Sequence, residues 1–363
     1  MERRRLLSTL AAGTGLLAGC AGYQSERGSS GRSPTPTGTP EGFIPKSKLE
    51  RVVAKDAIPA ITNPAFAADW SDAEAAPLVD TNDVIGLMRD GQPRAYPLRI
   101  LDWHEVVNDT LGGPLLVTYC PLCGSGITAV RTAGGEESLF GVSGRLYKND
   151  LVMYDEATGS LWAQIEAQAV NGPLVGEELE LVPSTFTTWG EWRAEHPDTD
   201  VLLPPPDSGN IADAPPRDYN KDPYPNYEDS ERIGIGGSYN DDRLHPKALV
   251  LGVANSGEAR AYPRVRVAEA GVVNDSVGGV PIVVTVAGEG TLVGYQRRVD
   301  GSTLTFETDG DALVAGGSRW NPMTGTAMDG PYEGQTLAPA SERSPLFFFA
   351  WLNFYPETTV YGE

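Results

Sequence analysis

Cysteine, histidine and methionine are scarce in this chain, with three, three and five copies among 363 residues. A tetrathiolate zinc or iron–sulfur site is excluded because four cysteines do not exist. Lysine and arginine total 28 against 49 aspartate and glutamate, a net charge of −21. Binding to nucleic acid requires clustered positive charge, so this balance argues against a nucleic-acid partner.

Several common catalytic motifs are also missing. The sequence has no G-x-S-x-G elbow, no P-loop and no H-E-x-x-H motif, which argues against the common hydrolases, nucleotide enzymes and metalloproteases. The apolar share is 40%, with 42 glycines and 29 prolines, and that is enough to bury a core. The acid-rich, lysine-poor composition is typical of a soluble protein adapted to concentrated salt.

The first 20 residues have the composition of an export signal. Three arginines, Arg3 to Arg5, precede a short apolar stretch that is too short to span a bilayer. The arginine run is typical of twin-arginine export, and Leu17-Ala18-Gly19-Cys20 is typical of a lipoprotein box that is cleaved before a lipidated cysteine. We therefore expect an exported protein, anchored to the outer face of the cytoplasmic membrane by a lipid on Cys20.

Residues 21–45 are rich in Ser, Thr, Gly and Pro and show no apolar periodicity. Such a segment cannot bury enough surface to offset the entropy of ordering it. We predict a disordered tether between the lipid anchor and the folded body.

The rest of the chain contains an internal duplication. Segments 84–113 and 250–279 align without a gap and share 13 of 30 residues, including Arg-Ala-Tyr-Pro and Val-Val-Asn-Asp. We predict a first half over 46–203, a connection rich in Tyr, Pro and Asp over 204–246, and a second half over 247–363.

Short β-branched and aromatic runs bounded by Gly and Pro predict strands throughout both halves. They cover 84–88, 115–119, 127–130, 151–154, 161–164, 282–286 and 303–307. Helices are predicted over 99–105 and 185–195, the second with Ser184 as its N-cap. The expected fold is mainly β (α+β): two pseudo-symmetric halves of short antiparallel strands with a few short helices.

Two cysteines remain after the leader, Cys120 and Cys123, at the end of a predicted strand. In the alignment of the two halves they correspond to Val286 and Glu289, and His104 corresponds to an alanine. The pattern predicts a reactive site confined to the first half, with the second half as a scaffold.

Several chemistries fit a C-x-x-C pair in an exported protein. One interpretation is a structural disulfide, which an oxidising compartment favours. Another is a copper or zinc site formed by Cys120, Cys123 and His104, with Met153 as a further ligand, because thiolate, imidazole and thioether together suit soft metals. His104 fits a hydrogen-bonded structural role equally well, and Met153 fits a core position. A thioredoxin-like redox motif would need a helix at the first cysteine, whereas a turn and a strand are predicted.

The connection between the halves concentrates Tyr219, Tyr224 and Tyr227 in a polar segment. Aromatic residues in such a loop usually anchor it to the body of the protein. We predict that they, with Trp162, border a ligand cleft between the halves, where duplicated folds commonly bind their ligands.

The motifs from His104 to Asp109 and from Tyr119 to Gly124, followed by others over 140–162 and 217–227, resemble the DUF3179 family of unknown function. The resemblance covers nearly all of the chain after the tether. It implies a lipoprotein-like member from a halophilic archaeon, and it transfers no catalytic residues. The sequence therefore predicts an extracytoplasmic metal-binding protein, with a thiol- or metal-dependent oxidoreductase and a disulfide-bonded surface module as the alternatives.

Overall fold

The computed structural model describes residues 41–363. The predicted export signal with Cys20, and the predicted tether up to residue 40, lie outside the described residues. Residues 41–45, predicted to be disordered, belong to the folded body instead. The N–H of Ile44 donates to the carbonyl of Val170 over 2.7 Å, and the Asn171 side chain donates to the Ile44 carbonyl over 2.9 Å. These two hydrogen bonds attach the segment to residues 170 and 171, an attachment that its composition did not predict.

The prediction of a mainly β fold is confirmed, because short strands in small sheets dominate the described chain. Most strand pairs are antiparallel, and three pairs are parallel. Three five-stranded sheets are built from residues before 211. In sheet order, the strands of the first are Glu50–Arg51, Phe140–Tyr147, Asp150–Asp155, Leu161–Ala163 and Gln168–Asn171. Those of the second are Thr185–Thr188, Asp83–Arg89, Gln92–Pro97, Asp200–Leu202 and Phe66–Ala67. Those of the third are Gly209–Asn210, Ile61–Asn63, Val106–Thr110, Pro114–Cys120 and Ser125–Val130.

The sheets of the later part of the chain are smaller. A four-stranded sheet contains Leu346–Phe347, Leu249–Asn255, Glu258–Pro263 and Thr359–Val360. One three-stranded sheet contains Val272–Val277, Val280–Ala287 and Thr291–Gln296, and another contains Glu307–Asp309, Ala312–Ala315 and Ser318–Trp320. Two small hairpins complete the strands, Thr132–Ala133 with Glu136–Glu137 and Arg298–Val299 with Ser302–Thr303. Short 3-10 helices lie at Lys46–Lys48 and Gly330–Tyr332.

Four α-helices of seven residues each punctuate the strands: α1 Leu98–His104, α2 Trp189–Glu195, α3 Arg264–Ala270 and α4 Phe348–Phe354. The helix predicted over 185–195 was too long at its start. Residues 185–188 pair with Asp83–Arg89 as a strand, and Thr188 caps α2 through its side-chain oxygen. Pairing with a neighbouring strand overrides helix propensity there.

The strand predicted over 303–307 was also wrong in part. Thr303 ends one short hairpin and Glu307 begins another strand, while Leu304 and Phe306 between them are buried in the core. A run of β-branched and aromatic residues can therefore pack into the core without pairing with a neighbouring strand. The other predicted strands agree with the structure to within two residues at each end.

Some contacts recur at corresponding positions of the two predicted halves. A Cβ atom on Gly86 would lie 2.3 Å from the Trp192 ring, and one on Gly252 would lie 2.3 Å from the Trp351 ring. Only glycine lets the indole pack directly on the strand. Descent of the two halves from one duplicated unit stays a prediction.

The largest buried cluster combines residues from both parts of the chain, from Ala60 and Cys120 to Phe347 and Trp351. The thiol pair therefore lies inside the main hydrophobic core. Among residues 41–363, none of the helices has the length and apolar character needed to cross a bilayer.

Candidate metal centre

The two cysteines lie in the tight turn of a β-hairpin. Strand Pro114–Cys120 ends at the first, and strand Ser125–Val130 follows directly after Gly124. The N–H of Cys123 donates to the carbonyl of Cys120 over 3.0 Å, which closes a β-turn with proline at its second position. Gly124 then has a φ of 58°, a conformation that favours glycine. The local sequence thus dictates a turn that places both thiols on one side.

The Sγ atoms of Cys120 and Cys123 lie 2.9 Å apart, and both side chains are buried at 2% and 0% exposure. Neither cysteine is in a disulfide. Burial raises the pKa of both thiols, most strongly that of Cys123. The pair is therefore neutral and closed to solvent as it stands, unlike the exposed, acidic thiols of redox enzymes.

A carboxylate completes a group of three potential ligands. Asp150 is fully buried, and its Oδ1 lies 3.9 Å from the Cys123 Sγ. One ligand atom from each of Cys120, Cys123 and Asp150 lies within 4.8 Å of the others. The other carboxylate oxygen of Asp150 accepts a hydrogen bond from the Ile165 N–H over 2.9 Å. Burial raises the pKa of Asp150 well above its ordinary value.

The turn that precedes Asp150 supplies a fourth donor atom, a backbone carbonyl oxygen. Lys148 and Asn149 have φ angles of 54° and 69°, as in a two-residue type I′ hairpin loop. This loop directs the Asn149 carbonyl to the thiols, 3.2 Å from the Cys123 Sγ and 3.9 Å from that of Cys120. Two sulfur and two oxygen donors therefore converge on one buried point.

His104 is held elsewhere. Its Nδ1 lies 2.6 Å from the Pro59 carbonyl oxygen and its Nε2 lies 2.8 Å from the Tyr219 hydroxyl. A carbonyl can only accept, so Nδ1 carries the proton and Nε2 accepts from the tyrosine. Burial lowers the pKa of His104 to about 4. The neutral ring has no free lone pair, and His104 is not part of the three-residue ligand group.

Met153 is fully buried in the hydrophobic core and pairs with Val142 and Trp162 across its strand. It lies three residues after Asp150 on that strand, and an odd spacing places two side chains on opposite faces. The structure thus brings Cys120 and Cys123 to Asp150, and leaves Met153 on the face of the strand away from that carboxylate.

The four aromatic residues predicted to border a ligand cleft have different surroundings. Tyr219 donates to His104, Tyr227 donates to the Leu122 carbonyl over 2.9 Å, and Trp162 donates through Nε1 to Asp155 over 3.0 Å. Each of these three is buried. Tyr224 lines a cavity of about 410 Å³ that also includes Leu122 of the thiol turn.

A cavity of about 630 Å³ does lie between the two parts of the chain, with Trp192 and Phe186 on one side and Leu251 and Tyr295 on the other. None of the four predicted aromatic residues lines it. The tyrosine-rich connection between the halves therefore packs near the thiol turn and does not cover this cleft.

Two carboxyl groups near the thiols were missed by sequence analysis. Asp150 follows a Lys-Asn pair that predicts a turn but not the direction of the next side chain. Glu105 had a visible signal, because it corresponds to Gly271 in the alignment of the halves. It has a φ of 57° and is buried, and burial raises its pKa to about 8.

The fold and this buried dithiol–carboxylate group define a mainly β protein with a candidate metal centre in its core. The sequence profile described as a protein of unknown function (DUF3179) matches residues 55–358. The chain therefore belongs to the DUF3179 family, as the motifs around the thiol turn predicted. No curated protein and no solved structure matches the chain.

Proposed function

We propose that this protein binds one thiophilic metal ion between Cys120, Cys123 and Asp150. The observation that carries the proposal is the convergence of two thiols, a carboxylate and the Asn149 carbonyl inside the core. The thiolate is the form that binds a metal, so an ion binding here would displace the two thiol protons. A cation at this point would be neutralised by two thiolates and held by the oxygens.

The donor set favours zinc over copper(I). Copper(I) prefers soft thiolate and thioether ligands, whereas zinc accepts thiolate and carboxylate together. The predicted imidazole and thioether donors, His104 and Met153, would have supported copper. With an aspartate in their place, zinc is the better match.

Elemental analysis of the full chain, purified anaerobically in high salt, tests this function. We expect one zinc ion per chain, lost in Cys120→Ser and weakened in Asp150→Asn. The control is His104→Gln, which removes a buried imidazole outside the three-residue ligand group and leaves the metal content unchanged. A Zn²⁺ titration of metal-free protein gives the affinities.

Thiol counting in the same samples separates the alternatives. Metal-free protein whose thiols react only after reduction would overturn the proposal in favour of a structural disulfide. The 2.9 Å separation of the Sγ atoms is the observation that favours a redox pair. Reversible cycling of the thiols at the potential of known thiol oxidoreductases, without bound metal, would support that enzyme class instead.

We also propose that the protein acts outside the cell, held by a lipid on Cys20. The arginine run, the short apolar stretch and the Leu-Ala-Gly-Cys sequence support this location. Cell fractionation of the wild type and Cys20→Ser tests it. We expect the wild type in the membrane fraction, released by detergent, and the variant in a soluble fraction. Equal distributions would contradict lipid anchoring.

A further inference from the structure

Glu105 occupies a backbone position that suits glycine. It follows the last residue of α1 with a φ of 57°, and its N–H donates to the Leu101 carbonyl over 2.7 Å. Gly271 has the same place after α3, with a φ of 73°. A side chain in this region of conformational space is strained, and such strain is concentrated at functional sites.

The carboxyl group of Glu105 has no hydrogen-bond partner among residues 41–363, although the residue as a whole is only 8% exposed. It lines the cavity of about 410 Å³ beside the thiol turn. Buried carboxyl groups are normally paired, because losing their contact with water is costly. An unpaired carboxyl group aimed into a cavity therefore points to a ligand that supplies the missing hydrogen bond.

The cavity is otherwise largely apolar. Its walls include Val52, Ile58, Leu122, Val142, Leu146 and Leu151. Tyr224 is a second polar group in the lining, and its hydroxyl makes no hydrogen bond within the described chain. Arg145 is already bound to the Leu49 carbonyl over 2.9 Å, and Arg232 is exposed above the Tyr227 ring. Two unpaired polar groups thus share one apolar chamber.

We propose that this cavity binds a small, predominantly apolar alcohol or phenol. The ligand hydroxyl donates to the Glu105 carboxyl group and accepts from the Tyr224 hydroxyl, while its carbon skeleton contacts the aliphatic walls. The volume lies in the range typical of small-molecule sites, which are mostly apolar with a few placed polar groups. No residue lining the cavity offers a buried, unpaired positive charge that would bind an anionic ligand.

This site is separate from the metal site but adjoins it. Leu122 lies between the two cysteines in the turn, and Leu151 directly follows Asp150, so two walls of the cavity belong to the segments that carry the ligands. The inference goes beyond the proposed metal binding and does not depend on it. A ligand in the cavity would contact the thiol turn through Leu122.

Equilibrium dialysis of the full chain against 2-naphthol and 2-methylnaphthalene tests the proposal. The two probes have the same shape and differ in a hydroxyl against a methyl group. We expect one 2-naphthol per chain, bound at least tenfold more tightly than the hydrocarbon. The preference should persist after the metal has been removed with a chelator.

Glu105→Gly is the decisive variant, because glycine suits the backbone there. We expect it to fold with an unchanged or higher Tm and to lose the preference for 2-naphthol. Tyr224→Phe should reduce that preference while leaving the fold intact. Failure of both probes to bind, equal affinity for the two, or an unchanged preference in both variants would overturn the proposal.

Discussion

Phe347 donates its backbone N–H to the carbonyl oxygen of Cys123 over 2.9 Å, although most of the folded chain separates them in sequence. Close by, the Ser344 hydroxyl accepts from the Gly126 N–H over 2.7 Å. The thiol turn is therefore closed from outside by a segment near the end of the chain. The second half, predicted to be only a scaffold, contributes contacts directly at the candidate site.

Gly124→Ala should disrupt this contact. A Cβ atom there would lie 2.8 Å from the Phe347 ring, and the φ of 58° is unfavourable for alanine. We expect a loss of about 2–4 kcal/mol in the free energy of unfolding, from overpacking and backbone strain together. Urea unfolding measures it. The control is Gly135→Ala, which has a φ of 80° but open space around its Cβ, and should lose only about 1 kcal/mol. Equal losses in the two variants would show that contact with the Phe347 ring does not restrict the side chain at position 124.

The native thiols should be protected from alkylation. Cys120 and Cys123 are buried, and their raised pKa values keep the reactive thiolate scarce near neutral pH. With iodoacetamide at pH 8, we expect metal-free native protein to react ~100-fold more slowly than protein unfolded in urea, because modification requires opening of the core. Mass spectrometry of the labelled protein follows both rates. Rapid labelling of either thiol in the native state would contradict this closed arrangement.

Two corresponding ion pairs, one buried and one partly exposed, provide a matched comparison. Asp109 lies 2.6 Å from the Arg94 guanidinium and also accepts from Tyr96. Asp275 makes the same contacts with Arg260 and Tyr262, at 2.6 and 2.8 Å. The first aspartate is 4% exposed and the second 22%.

Asp109→Ala should therefore be the more destabilising of the two aspartate variants. It leaves Tyr96 and Arg94 without their partner in a drier environment, and we expect a loss of about 3 kcal/mol in the free energy of unfolding. Asp275→Ala should lose about 1–2 kcal/mol, because water reaches that pair. Denaturant unfolding of both variants decides the order, and a larger loss for Asp275→Ala would show that burial does not control these pairs.

The sequence predicted the thiol turn well because its signals are local. A run of apolar, β-branched and aromatic residues before Cys120, proline after it and Gly124 as the break specify a strand, a turn and a second strand. Hydrophobic periodicity and turn-forming residues act over a few positions, so they can be recognised in the sequence without knowledge of the tertiary structure.

The remaining ligand could not be predicted, because it depends on pairing between distant segments. Asp150 reaches the thiols from a strand of another sheet, on a hairpin that the Lys148–Asn149 turn closes. Likewise, nothing in the neighbourhood of His104 indicates that Pro59 and Tyr219 hold its two nitrogens. Contacts of this kind are set by tertiary packing and become visible only in the structure.

His104 should make stability depend on pH in the mildly acidic range. Burial lowers its pKa to about 4 in the folded protein, against 6.5 in the unfolded chain. The unfolded state therefore binds the proton more readily, so this contribution to stability is complete above pH 6.5 and is lost as the pH falls towards 4. The full effect is on the order of 3 kcal/mol.

Chemical unfolding at a series of pH values, for the wild type and His104→Gln, isolates this group from the titrating carboxylates. We expect the difference in unfolding free energy between the two proteins to shrink progressively below pH 6.5, because only the wild type has an imidazole to protonate. A constant difference between wild type and His104→Gln from pH 7 to 4.5 would show that the buried imidazole is not held neutral.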